Sequence, residues 1–225
     1  MSTPPKSAPS KGLWLAGGVA LLPALGGGAY LLFSGPSDPR SPAVRRVEML
    51  EQKGDIAALQ REASRQDDVE AASAAVRSIG NVSLRTGTDL LPQLEKAIQH
   101  PKPQVRIEAT AQLAAVAARQ RVEQPPQTLV RAALTDNDDD VRAAAMQALG
   151  HTRAPDALDT LLEGLSDRDV QVRRFAFESL QTIAGVRFGS IYDPESPSED
   201  GIRKISAYVP GFREKLKRRM RSNQP

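Results

Sequence analysis

From Val44 onward, apolar residues recur at helical intervals, and one stretch sets the template. In Val141-Arg-Ala-Ala-Ala-Met-Gln-Ala-Leu-Gly150, residues Val141, Ala144, Ala145, Ala148 and Leu149 lie three and four apart, so a helix gathers them on one face. Partial copies run from Ala71 to Gly80, Val105 to Leu113 and Val172 to Leu180, and successive copies begin 34, 36 and 31 residues apart. Each is preceded by a second helical segment: Ile56 to Arg65, Leu90 to Gln99, Thr128 to Leu134 and Pro155 to Leu165. In the last of these, Leu158, Leu161, Leu162 and Leu165 form an apolar face that a single hairpin leaves open to water. The pattern predicts an all-α fold over residues 44–186, an α-solenoid of about four helical hairpins sharing one core.

The stretch before this domain has a different character. Residues 1–11 are rich in Pro and Ser and carry no large apolar side chain, so disorder is expected there. The 26 residues from Gly12 to Ser37 hold no charge, and residues 12–33 are long enough for a helix to cross about 30 Å of hydrocarbon. A cleaved signal peptide has a shorter apolar region. A water-soluble core helix is disfavoured by six glycines in that span. The expectation is a single-pass transmembrane anchor with interfacial Trp14 and Tyr30 and a kink at Pro23. Gly12, Ala16, Ala20, Ala24 and Gly28 make a smooth stripe at which two such helices can approach. Lys6 and Lys11 on one side face Arg40, Arg45 and Arg46 on the other, so the charge rule selects neither orientation. A linker with three prolines is expected over residues 34–43.

Composition narrows the chemistry. Aromatic residues are 4% of the chain, which suits close-packed helices better than sheets. There is no cysteine, which excludes disulfides, thiolate metal sites and a cysteine nucleophile. The net charge of +3 is unevenly placed. Eight basic side chains fall between Arg203 and Arg221 with Glu214 as the sole acid. Without them and the two N-terminal lysines, 20 basic residues face 26 acidic ones. The body is mildly acidic and the tail basic.

The run from Asp136 to Gly150 followed by Ala154 to Leu165, with Asp167-Arg-Asp-Val-Gln-Val-Arg173 opening the next unit, resembles the short, phycobilisome-lyase-like HEAT repeats of bacteria. The likeness is strong over about residues 136–185 and weaker over 55–120. In that family an aspartate in the turn and an arginine six residues later link adjacent repeats. The resemblance therefore implies an inter-repeat ladder of Asp136, Arg142, Asp167 and Arg173, broken toward the N-terminus where His100 replaces the aspartate expected before Arg106. The second helices of HEAT hairpins line the concave face, so the resemblance also implies Glu108, Gln112, Gln147, Arg174 and Glu178 as partner-binding candidates.

Other chemistry is weakly supported. Asp136, Asp138 and Asp140 imitate the start of a calcium loop, but Val141 occupies the glycine position and Gln147 that of the bidentate glutamate, so helix capping explains them better. His100 and His151 lack helical metal-ligand partners, and Gly26-Gly-Gly28 lacks the residues of a phosphate loop. No cofactor is expected. Residues 187–225 read as a capping loop, with Phe188, Ile191 and Tyr192 over the last hairpin, and then a basic helix to Met220 broken at Pro210-Gly211. Its cations form a solvated cap or touch anionic lipid; nucleic acid fits poorly without interleaved aromatics. The expected function is a membrane-anchored, non-catalytic scaffold for a protein partner, in the cytoplasmic membrane of a bacterium. Two other classes remain: an accessory to an enzyme or a chromophore-lyase-like protein, and a structural membrane protein dimerising through its anchor.

Overall fold

In the computed structural model the described residues are 41–222, and their regular structure is helical throughout. The order is α1 (Pro42–Lys53), α2 (Ile56–Ala63), α3 (Val69–Thr86), α4 (Leu91–Ala97), α5 (Pro103–Gln120), α6 (Gln127–Thr135), α7 (Asp139–Thr152), α8 (Ala157–Gly164) and α9 (Val170–Ala184). A 3-10 turn at Gly189–Ile191 leads to α10 (Glu199–Ser206) and α11 (Val209–Ser222). The expected disordered terminus, the membrane span 12–33 with its small-residue stripe, and most of the linker lie outside the described residues. Among those described, no helix is long and apolar enough to cross a membrane.

Short polar residues set the helix starts. The carboxylates of Asp55, Asp68, Asp138 and Asp169 accept the amides of Ala58, Ala71, Val141 and Val172 at 2.9, 2.9, 3.1 and 3.1 Å. Each such cap replaces a hydrogen bond that the first turn lacks and is worth about 1 kcal/mol. The C-terminal ends use left-handed residues. Gly87 and Gly185 take this conformation without cost after α3 and α9, whereas Arg121 and Arg153 adopt it at φ 53° after α5 and α7.

The helices form two layers. In one, α1, α3, α5, α7 and α9 pack in series, each on the next; in the other, α2, α4, α6 and α8 each lie against the partner of their own hairpin. The layers meet over an aliphatic core in which Leu59, Ile79, Leu94, Leu113, Leu129, Met146, Leu149, Leu158, Leu161 and Leu180 are fully buried. Small residues bring the inner helices together. A Cβ on Gly150 of α7 would meet the Ser179 Cβ at 2.7 Å and its Cα at 3.1 Å, so α7 and α9 touch nearly backbone to backbone.

Two boundaries differ from the sequence expectation. The helix at the start of the domain begins at Pro42, inside the expected linker, because Ser41 caps it and proline is at home in a first turn. The break in the C-terminal helix falls between Ser206 and Val209, and Pro210 sits in the first turn of α11, where its missing N–H has no helical partner to lose. Among the described residues the aromatic side chains collect at this end: Phe177 lies 5.1 Å from Tyr192 and 6.2 Å from Phe188 between ring centroids, and Phe188 reaches Phe212 at 6.0 Å. Phe188 and Tyr192 are buried and Ile191 partly so, which covers the apolar edge of α9.

Candidate functional site

The turns that start the inner helices carry a repeated polar network. Arg142 donates from Nη1 to the carbonyl of Asp136 in its own turn at 2.8 Å, and from Nε and Nη2 to the carboxylate of Asp167 in the next turn at 2.9 and 3.1 Å. Arg106 repeats the geometry one hairpin earlier, binding the carbonyl of His100 at 2.9 Å and the Asp136 carboxylate at 2.9 and 2.7 Å. Arg173 holds the Asp167 carbonyl at 2.8 Å and, where no further repeat follows, the Pro194 carbonyl at 2.7 Å. Each arginine thus reads its own turn through a carbonyl; Arg106 and Arg142 read the next turn through a carboxylate, and Arg173 through a second carbonyl. The hydrogen bond to the Asp167 carboxylate outweighs burial, which acts the other way, and together with Asp139 holds the Arg142 guanidinium protonated well beyond the ordinary range. Asp139, bonded to Arg142 and Arg168, titrates below the usual carboxylate range.

The ladder was expected to break at His100, and the carboxylate-to-guanidinium links of the turns begin just beyond it, with Arg106 and Asp136. Arg106, absent from the expected set, joins it because a backbone carbonyl satisfies the Nη1 position whatever the side chain of residue 100. The imidazole also stands in for aspartate. In Asp136 and Asp167 a carboxylate oxygen accepts the amide two residues ahead, at 3.0 and 2.8 Å; in His100 Nδ1 accepts the Lys102 amide at 3.1 Å. That bond assigns the proton to Nε2, which donates to the Arg65 carbonyl at 3.0 Å. The link to the first hairpin is therefore imidazole to carbonyl instead of carboxylate to guanidinium.

The candidate partner-binding residues divide. Glu108 is corrected, and Gln112 is engaged between helices. Glu108 is 6% exposed. It accepts from Arg77 Nη2 at 2.7 Å and from Gln112 Nε2 at 2.9 Å. The Gln112 side chain fills the space above Gly80, where an added Cβ would lie 2.2 Å from its Oε1. Both therefore tie α3 to α5, Glu108 from a buried position and Gln112 from a half-buried one. Gln147 is half-buried, while Arg174 and Glu178 are exposed on α9, with Arg174 paired to Glu195 at 2.5 Å. These three remain on the accessible side of the inner layer.

The acidic turn is likewise occupied: Asp136 holds Arg106, Asp138 caps α7, and Asp139 holds Arg142 and Arg168. No group of three or more potential metal ligands comes together among the described residues. His151 ends α7 at the surface.

A contact that the sequence did not disclose fixes the C-terminal helix. Arg213 pairs with Asp159 and lies 3.7 Å from Asp156, and Lys217 pairs with Asp156 at 3.3 Å. The i, i+4 spacing of these cations on α11, opposite the i, i+3 carboxylates of α8, is the only signal that could have pointed to it. The Tyr192 hydroxyl donates to the buried Leu165 carbonyl at 2.5 Å, and burial pushes its phenol above the usual range.

Stacked antiparallel hairpins with a recurrent turn network define an α-solenoid, a class built to present one extended surface. The family profile for HEAT repeats matches residues 56–148 and again 126–196. The chain belongs to the HEAT repeat family. Among curated proteins, none matches it.

Proposed function

We propose that the protein is a non-catalytic scaffold that holds a protein partner on the accessible side of α5, α7 and α9, tethered to a membrane by residues 12–33. HEAT repeats generally serve as protein-interaction scaffolds, which supports the first half of the reading. The observation that carries it is the division of labour among polar groups. Arg106, Asp136, Arg142, Asp167, Arg173, Glu108 and Gln112 are consumed in fixing one repeat to the next. Gln147, Arg174 and Glu178 lie between those fixed points and stay accessible. A surface held rigid by its own network loses little conformational freedom when it binds. The uncharged run from Gly12 to Ser37 supports the tether.

The test is affinity capture from detergent-solubilised membranes with the full chain and with Gln147→Lys/Glu178→Lys. A captured protein that the variant no longer retains, with the variant's thermal melt unchanged, supports the groove. An identical captured set would remove this surface from consideration. Protease accessibility of residues 34–43 in sealed vesicles checks the tether independently.

A further inference from the structure

α11 carries its cations on two sides. Arg213 and Lys217 turn inward to Asp156 and Asp159 of α8, and Val209, Phe212 and Leu216 pack on the core. The opposite side is solvent-facing: Lys215, Arg218, Arg219 and Arg221 are exposed and form no ion pair among the described residues, with Glu214 the one carboxylate among them. Residues Gly211, Lys215, Arg218, Arg219 and Ser222 line one open, shallow surface, as positions four, seven or eight and eleven apart on a helix must. The helix is thus pinned by one set of charges so that a second set points outward.

We propose that this outer face of α11 docks on the anionic phospholipid head groups of a membrane. A ligand of defined shape is served by cations held in place by buried partners, as Arg142 is held; here four cations are exposed along an open surface, which suits a diffuse sheet of negative charge. Nucleic acid would be expected to use a row of stacking rings among the cations, but Phe212 is turned edge-on to Phe188 and packed on the core, which leaves Tyr208, 54% exposed just before α11, as a single ring ahead of Lys215, Arg218 and Arg219. The inference leans on the membrane reading of residues 12–33 for one thing alone: a tether concentrates lipid near the helix, and two weak attachments together hold where one does not. Each cation near an anionic bilayer favours the docked state about fivefold.

The full chain contains no cysteine, so Ser222→Cys provides a unique site for a fluorophore at the end of α11. The labelled chain is reconstituted with vesicles of phosphatidylcholine, or of phosphatidylcholine mixed with phosphatidylglycerol, containing a head-group quencher. The expected result is strong quenching on the mixed vesicles and little on the neutral ones, lost as salt shortens the Debye length from about 10 Å at 0.1 M to about 3 Å at 1 M. Lys215→Gln/Arg218→Gln/Arg219→Gln, whose circular dichroism should match the parent, lowers the docked-to-free ratio on the order of a hundredfold. Glu214→Lys raises it. Equal quenching on both lipids, or indifference to both variants, overturns the proposal. Polyglutamate or single-stranded DNA that protects the fluorophore better than the mixed vesicles reassigns the face to an acidic protein or a nucleic acid and also overturns it. Flotation with phosphatidylcholine vesicles reports residues 12–33 separately: a chain that fails to float on neutral lipid but is quenched on anionic lipid loses the tether and keeps the docking face.

Discussion

Arg142→Met removes the guanidinium at the centre of the inter-repeat network while keeping a similar apolar stem. The Arg142 side chain is 4% exposed and that of Asp167 12%. After the substitution Asp167 retains only the Asp169 amide at 2.8 Å, and the Asp136 carbonyl loses the guanidinium that held it at 2.8 Å. The link to exposed Asp139 adds less than about 1 kcal/mol, so the buried pair decides the outcome. Breaking such a pair from one side costs about 3–5 kcal/mol. For a domain of this size that corresponds to a drop in Tm of about 10 °C. Arg106→Met acts on a wetter pair, 15% and 12% exposed, and should cost less, about 2 kcal/mol. Adding Asp167→Asn to Arg142→Met removes the stranded charge yet keeps an oxygen for the Asp169 amide, so the double variant should recover at least about 1 kcal/mol relative to additivity. Urea unfolding followed by far-ultraviolet circular dichroism measures all three. Because solenoid stability resides in interfaces between neighbours, Arg142→Met should also broaden the transition as the last hairpin uncouples. A cost under about 1 kcal/mol, or strict additivity in the double variant, would refute a structural role for the pair.

Acid should weaken the first hairpin early. Glu62, bonded to Arg46 at 2.9 and 3.0 Å, has its pKa lowered from 4.5 chiefly by that bond, so its stabilisation is present above the unfolded value and is lost as pH falls below about 4.5 through the folded one; Glu62→Gln should flatten this limb of a pH-stability curve, and an unchanged limb would contradict the assignment. Gly150→Ala, which in an open helix gains up to about 1 kcal/mol, should instead destabilise by about 1–3 kcal/mol, because the new Cβ meets the Ser179 backbone at 3.1 Å; a raised Tm would show that α7 and α9 can separate freely. Ala145→Leu, at a position 0% exposed, should cost about 1–3 kcal/mol by overpacking. An unaltered thermal melt would contradict its burial.

The parts of the fold legible in the sequence were those governed by local rules. Apolar spacing located α2 to α9 because each of these helices buries one face, and caps such as Asp138 and Asp169 mark their starts. What escaped was set by neighbours. Glu108 stands where the template has Ala144, on the buried face, and its carboxylate is accommodated there because Arg77, 31 residues away, meets it across the α3–α5 contact. Arg106 has no aspartate six residues before it, whereas the geometry repeated within each turn runs through a backbone carbonyl, which has no side-chain identity to read.

That use of a carbonyl also explains how the stack ends and why α11 faces as it does. Each arginine requires an acceptor from the following unit, so the final one, Arg173, would be left with an unmet side if α9 were simply the last helix. The loop after it supplies the missing acceptor with Pro194, seats the Tyr192 hydroxyl on the Leu165 carbonyl, and packs Phe188 against Phe177. In effect the loop occupies the place of a further repeat's first turn. α10 and α11 follow from it, and α11 is fixed a second time by Asp156 and Asp159. A helix held at both attachments has no free rotation about its own axis. The outward direction of Lys215, Arg218 and Arg219 is therefore inherited from the repeat geometry, and loosening the loop should weaken docking even with every cation in place. Tyr192→Phe, which removes the hydroxyl and leaves the ring, is the substitution that separates the two: it should lower the quenching of the Ser222→Cys fluorophore on anionic vesicles, whereas undiminished quenching would mean that α11 finds the membrane without the stack to aim it.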